Sequence, residues 1–272
     1  MTLYVTTRGL TTGPIPYGGT TFDFSFDLLE NKLAVTTSEG GAFSFPLDDP
    51  PVAEFYRRLF EGLAPLEIDA SINTRPFDLD DEHALDIVTN HRTYDGEHVR
   101  RYHRVLTEVD QIFREFAGRL NSKTSPVQLF WHSFDLAVTR FSGKRVHLPE
   151  GTDPVTREAY SHEVISFGFW PGDREVREPT FYSYTAPEPQ DLTEQPLRLQ
   201  TAYWAPEGGT ALLAYEEVPN SRNTPEKPCW SSSRAPTRRG RGPRAGIWRL
   251  SEPTPAKKAP PHRATGLRRP TP

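Results

Sequence analysis

The chain changes chemistry abruptly after Val218, and that change confines the part able to fold. Residues 1–218 carry 19 Lys and Arg against 34 Asp and Glu, a net of −15, whereas residues 219–272 carry 13 against 2, a net of +11. The overall −4 therefore averages two unlike polymers. The second segment also holds 11 of the 27 prolines and the only cysteine, Cys229. A stretch so rich in Pro and Arg and so poor in aliphatics buries too little apolar surface to offset the entropy of ordering, so 219–272 reads as a disordered basic tail. A basic arm of this kind is able to bind nucleic acid through phosphates. The codons argue for another origin. Pro228-Cys229-Trp230-Ser231 requires bases that read Leu in a shifted frame, and with suitable codon choices residues 225–250 overlie an amphipathic helix. The expectation is a tail out of frame, and coding DNA with no helix-coding frame beneath 225–250 would exclude it.

The remaining 218 residues suffice for one α+β domain. They contain no cysteine, which rules out disulfides, thiolate metal sites and a thiol nucleophile there. No apolar run approaches the roughly 20 residues of a membrane span. No secretory leader precedes Leu3, so a cytoplasmic location and no membrane partner are expected. The acidic body disfavours nucleic acid as a partner.

Strand periodicity dominates. Phe22, Phe24, Phe26 and Leu28 alternate with polar residues, and Lys32–Thr37 and Ala42–Leu47 continue the pattern as a meander. Val52 to Leu63 reads as a helix with one apolar face, capped by Asp49. Leu66–Ile72 reads as a strand and 73–93 as an acidic loop. Val99, Tyr102, Leu106, Val109, Phe113, Phe116 and Leu120 form the stripe of a long helix from about Asp95. Val127–Phe141 reads as one long bent strand, followed by strands at Tyr160–Trp170, Thr180–Thr185, Leu199–Trp204 and Thr210–Tyr215. This order specifies an α+β fold with an extensive antiparallel sheet and two principal helices.

The block 125–172 mixes aromatic and ionisable residues. Trp131, Ser133, Asp135 and Thr139 fall on one strand face and His132, Leu136 and Arg140 on the other. Further on, His162 and Glu163 are adjacent and Gly168 precedes Trp170. A pocket lined by aromatics with a few polar anchors has such a composition, as does a sheet tied internally by Asp–Arg pairs and hydroxyl ladders. No histidine–carboxylate spacing fits a metal, and no phosphate cradle or nucleophile elbow is found. No metal and no cofactor is therefore expected. Arg8 beside a strand end is placed to orient an anion.

Together LYVTTRGLTTGPIPYG, SPVQLFWHSFDLAVTRFSGKR and VTREAYSHEVISFGFWPGD resemble the uncharacterised bacterial domain-of-unknown-function family numbered 5996, over residues 2–218. The resemblance supplies no activity. It implies a helix ahead of the strand at Leu3 and another after Val218, both missing from this chain, and hence exposed core surface. Arg8, Tyr17, Asp135, Thr139, Arg140, His162 and Glu163 match the family pattern, whereas His132 departs from the small residue expected.

Two functions compete. One is a small-molecule pocket with Asp135, Arg140 and His162 as anchors and Trp131 and Trp170 as walls, which requires the three anchors to converge. The other is a structural or protein-interaction domain without catalysis. The sequence leaves the oligomeric state open.

Overall fold

A computed structural model describes residues 2–75, 83–90, 93–119, 121–131, 133–173 and 176–218. The basic tail, His132 and Leu120 lie outside the described residues. Twelve strands form one antiparallel sheet. In chain order they begin with β1 (Thr2–Val5), β2 (Gly9–Thr11), β3 (Ile15–Tyr17), β4 (Thr20–Asp27), β5 (Lys32–Thr37) and β6 (Ala42–Pro46). Helix α1 (Val52–Leu63) and helix α2 (Gly96–Gly118) follow. Then come β7 (Gln128–Phe130), β8 (Asp135–Arg145), the short helix α3 (Pro154–Ala159), β9 (His162–Trp170), β10 (Thr180–Ala186), β11 (Tyr203–Trp204) and β12 (Thr210–Ala214). The spatial order is β11-β12-β10-β9-β8-β7-β1-β2-β4-β5-β6, with β3 paired to β4. The α+β class, the meander β4–β5–β6 and the two long helices agree with the sequence reading.

Both long helices cover one face. Directly paired residues of a sheet share a side, so Leu3, Leu129, Leu136, Phe169, Phe181 and Leu213 form a single apolar row across six strands. Leu106, Val109 and Phe113 of α2 pack on this row. Farther along, Phe22, Phe24 and Phe26 alternate onto the same side. Phe26 joins the α2 core, while Phe22 and Val35 meet Leu63 of α1 in a second core. Asp95 caps α2 by accepting from the backbone N–H groups of Glu97 and His98. His103, buried on α2, donates from Nε2 to Thr6 O at 2.9 Å and ties the helix to the turn after β1.

Neither long helix packs on the opposite face, and its composition shows why. Over β2, β4 and β5 it presents Thr11, Asp23, Ser25 and Thr36, whose hydroxyls converge on the Asp23 carboxylate at 3.3, 3.1 and 2.5 Å. Over β8–β10 it presents Asp135, Thr139, Ser166, Trp170, Tyr182 and Tyr184. A half-polar face of this kind tolerates solvent.

Four local expectations are corrected. Asp49 does not cap α1; its carboxylate accepts from Tyr94 N at 3.1 Å, and Pro51 precedes the helix without a side-chain cap. Residues 66–72 form no strand; a 3-10 turn over Ala64–Leu66 leads to Ile68, which is buried in the α1 core. The segment 127–141 is not one strand but a hairpin, because β7 and β8 pair antiparallel, with Phe134 at φ 57° just ahead of β8. Only Tyr203–Trp204 of 199–204 is strand.

Candidate functional site

The reversal between β7 and β8 opens a depression on the face opposite the long helices. It has a volume of about 490 Å³ and is lined by Ser133, Asp135, Trp170, Gly172, Asp173 and Tyr182. Asp135 starts β8 and is only 9% exposed. A carboxylate this deep needs hydrogen-bond donors. Tyr182 supplies one, its Oη donating to Asp135 Oδ2 at 2.5 Å. The reach is long, because Tyr182 stands on β10 and Asp135 on β8, two strand spacings or roughly 10 Å apart. Gly168 of β9 lies between them, paired with both Ala137 and Tyr182. A Cβ at Gly168 would stand 2.1 Å from Tyr182 Cζ. The missing side chain is what allows the phenol to lie flat across β9. The space beside Gly168 is filled by the Tyr182 ring.

Tyrosines continue the site along the face. The Tyr182 and Tyr184 rings stack at 6.1 Å, and Tyr160 Oη donates to Tyr184 Oη at 3.4 Å. Burial first, and then the Asp135 charge, raises the pKa of Tyr182 above the ordinary phenol value. Tyr184 is raised by burial, its Tyr160 hydrogen bond and, more weakly, Asp135. Across the sheet edge Tyr102 of α2 donates to Phe134 O at 2.7 Å and braces the β7–β8 turn; burial and the Asp135 charge raise its pKa too. The far wall is the turn after β9. There Asp173 N donates to Val176 O at 2.7 Å, and Asp173 Oδ1 accepts from Val176 N at 2.8 Å. Gly172 sits at φ 93°, where a Cβ would meet Val176 O at 2.4 Å.

Of the residues singled out in the sequence, the depression gathers Asp135 and Trp170. Asp135 and Arg140 are five positions apart on β8, on opposite faces and about 17 Å along the strand. Arg140 Nε donates instead to Ser122 Oγ at 2.7 Å. His162 begins β9, about 26 Å along the strand from Trp170, where Ser161 Oγ meets its Nδ1 at 3.1 Å. Asp135, Arg140 and His162 therefore do not converge. Glu163 accepts from Ser142 Oγ at 2.8 Å and faces Lys144 Nζ at 3.7 Å. Thr139 Oγ1 pairs with Ser166 Oγ at 3.2 Å in a hydroxyl ladder. Tyr17 Oη accepts from Asp69 N at 2.8 Å and donates to Asp69 O at 3.0 Å, so it fastens the segment after α1 to β3. Arg8 Nε donates to Asp27 at 2.7 Å and its NH2 to Glu30 at 3.1 Å. Burial opposes the Asp27 charge, but Arg8 and the N–H groups of Glu30 and Leu29 hold its carboxyl below the usual range. Trp131, 55% exposed, stands with Phe130 and Phe134 at the exposed hairpin tip beside Ser133. Sequence reasoning missed Tyr182 and Asp173. The signal for Tyr182 was Gly168, whose partner strand held the ring that needed the space.

Among the described residues no group of three or more His, Cys, Asp or Glu side chains is arranged to hold a metal ion. No helix among them is long and apolar enough to cross a membrane. The sequence profile of the Family of unknown function (DUF5996) matches residues 1–229 of the 272. The chain belongs to this family. The match runs past Val218 to Cys229, so the change of charge lies inside it. No curated protein and no solved structure matches the chain.

Proposed function

We propose that this member of the family binds a small molecule in the depression on the sheet face opposite the long helices, with Asp135 as the buried polar anchor, Tyr182 as its positioning partner and Trp170 as an aromatic wall. The observation that carries the reading is the deep Asp135 carboxylate held at the floor of a 490 Å³ concavity by a phenol that crosses a whole strand to reach it. A structural tie alone would not require an open volume above it, whereas ligand sites combine aromatic walls with a few fixed polar groups. The aromatic and carboxylate chemistry is thereby kept, but Arg140 and His162 leave the anchor set and Tyr182, Ser133 and Asp173 enter it.

Ligand-observed NMR with a fragment library tests the reading. Ser133 is an exposed turn residue on the rim, so Ser133→Trp fills the depression without touching either core. Fragments that bind the parent chain are expected to lose their signal with this variant. A folded Ser133→Trp chain that keeps every hit would place binding elsewhere and end the proposal.

A further inference from the structure

We infer that the outer edge of β6 is a self-association surface, on which a second copy of this chain adds its own β6, antiparallel about a two-fold axis. β6 ends the strand order and, among the described residues, pairs with β5 alone. At the two ends of the strand Leu47 N donates to Asn31 O at 2.7 Å and Thr37 N to Gly41 O at 2.9 Å. The register between these bonds runs without a bulge. Strand alternation therefore turns the backbone polar groups of Phe43 and Phe45 toward β5 and those of Ala42, Ser44 and Pro46 outward. Ala42, Ser44 and Pro46 are exposed, and none carries a charge that would repel a neighbouring strand. The other end of the sheet is guarded by brevity, since β11 is 2 residues long.

The donor pattern decides what fits this edge. With Ser44 opposite its own counterpart, the two serines exchange backbone N–H···O bonds, and each Ala42 N–H meets the Pro46 carbonyl of the second copy. Pro46 has no N–H, and the acceptor it leaves unmet, Ala42 O, lies at the exposed edge where water serves it. Every outward N–H of the strand thus finds a carbonyl in a second β6, and the pairing stays within Ala42–Pro46. On the α1 side Phe43 falls opposite the second copy's Phe45 in a close, non-hydrogen-bonded pair. Both rings are half-buried and stack at 6.5 Å within one chain, and Phe45 meets Phe55 of α1 at 5.3 Å. A second copy extends this aromatic cluster across the axis, so the same strand matches itself in hydrogen bonding and in apolar cover.

Sedimentation velocity of the full chain tests the inference. In about 0.5 M salt, which screens attraction between the acidic body and the basic tail, the parent chain is expected to move from monomer toward dimer between about 10 µM and about 1 mM, the weak range that suits a small interface. Ser44→Pro removes the central outward N–H without touching the bonds to β5 and is expected to stay monomeric over that range. Ser44→Lys and Ser44→Glu each set like charges face to face across the axis. At low salt each alone is expected to be monomeric, and an equal mixture of the two to associate several-fold more tightly than either. This charge exchange carries the test if Ser44→Pro fails to fold. A parent chain that stays monomeric throughout overturns the inference and leaves the edge to an extended strand of a different protein. A dimer indifferent to all three variants places association elsewhere and overturns it equally. The depression lies among β8, β9 and β10, away from β6, so fragment binding there is decided separately.

Discussion

At the scale of single residues the site depends on one glycine and one phenol. Gly168 clears the path and Tyr182 uses it, so a methyl group on β9 is felt on β8. Tyr182→Phe keeps the ring that covers Gly168 but removes the donor to Asp135. A hydrogen bond to a buried carboxylate is worth about 1.5–3 kcal/mol, and urea unfolding of Tyr182→Phe is expected to show a loss of that size. A loss near zero would mean that Asp135 is held by its other interactions alone. The same three phenols predict alkaline behaviour. Their folded pKa values stand above the unfolded value of about 10, so the unfolded chain releases its protons first. The stabilisation is therefore complete below pH about 10 and is lost as pH rises through the folded values. Phenolate absorbance titrated upward is expected to show Tyr102, Tyr182 and Tyr184 as a late group that ionises together with loss of structure. A single early phase containing all tyrosines would contradict the burial of Tyr102, Tyr182 and Tyr184.

At the scale of elements, legibility in the sequence followed the strength of the periodic signal. β4, β5 and β6 alternate cleanly and have Asn31 and the Gly40-Gly41 pair at their turns, both of which support positive φ. They were readable nearly to the residue. The stripe of α2 was readable because Leu106, Val109 and Phe113 recur at helical spacing and meet one core. The β7–β8 hairpin was not, since Phe130-Trp131-His132-Ser133-Phe134 contains neither Gly nor Pro. Phe134 takes positive φ there, a conformation that a bulky residue holds only against a local steric cost; the Tyr102 hydrogen bond to its carbonyl helps keep the turn in place. That reversal builds the rim of the depression, so the most informative sequence block hid the geometry of its own site. Asp135 and Trp170 were legible as unusual residues, but their convergence is a consequence of strand register. Register also separates Asp135 from Arg140 and His162, a distinction that adjacency in sequence could not supply.

At the scale of the whole molecule the two helices and two cores share one face of a continuous sheet, and β1 is the junction. It pairs with β7 on one side and β2 on the other. Leu3 and Leu10 on β1 and β2 belong to the α2 core, and Phe26 on β4 adjoins it while Phe22 and Phe24 of the same strand serve the α1 core. A disturbance in either core therefore passes through strands common to both. Leu106 of α2 is fully buried and Leu63 of α1 is 2% exposed, so Leu106→Ala and Leu63→Ala are each expected to cost about 2–5 kcal/mol. If the shared strands couple the cores, each variant lowers the midpoint of one common unfolding transition, and circular dichroism and tryptophan fluorescence move together. Independent cores would behave differently: Leu63→Ala would create an early phase while the α2 core, with the depression lying on its reverse face, melted at the parent midpoint. Denaturant unfolding of the two single variants and the double variant separates these cases. The continuous hydrogen bonding from β12 to β6 favours the common transition, with the opposite face and its ligand site lost in the same step as both cores.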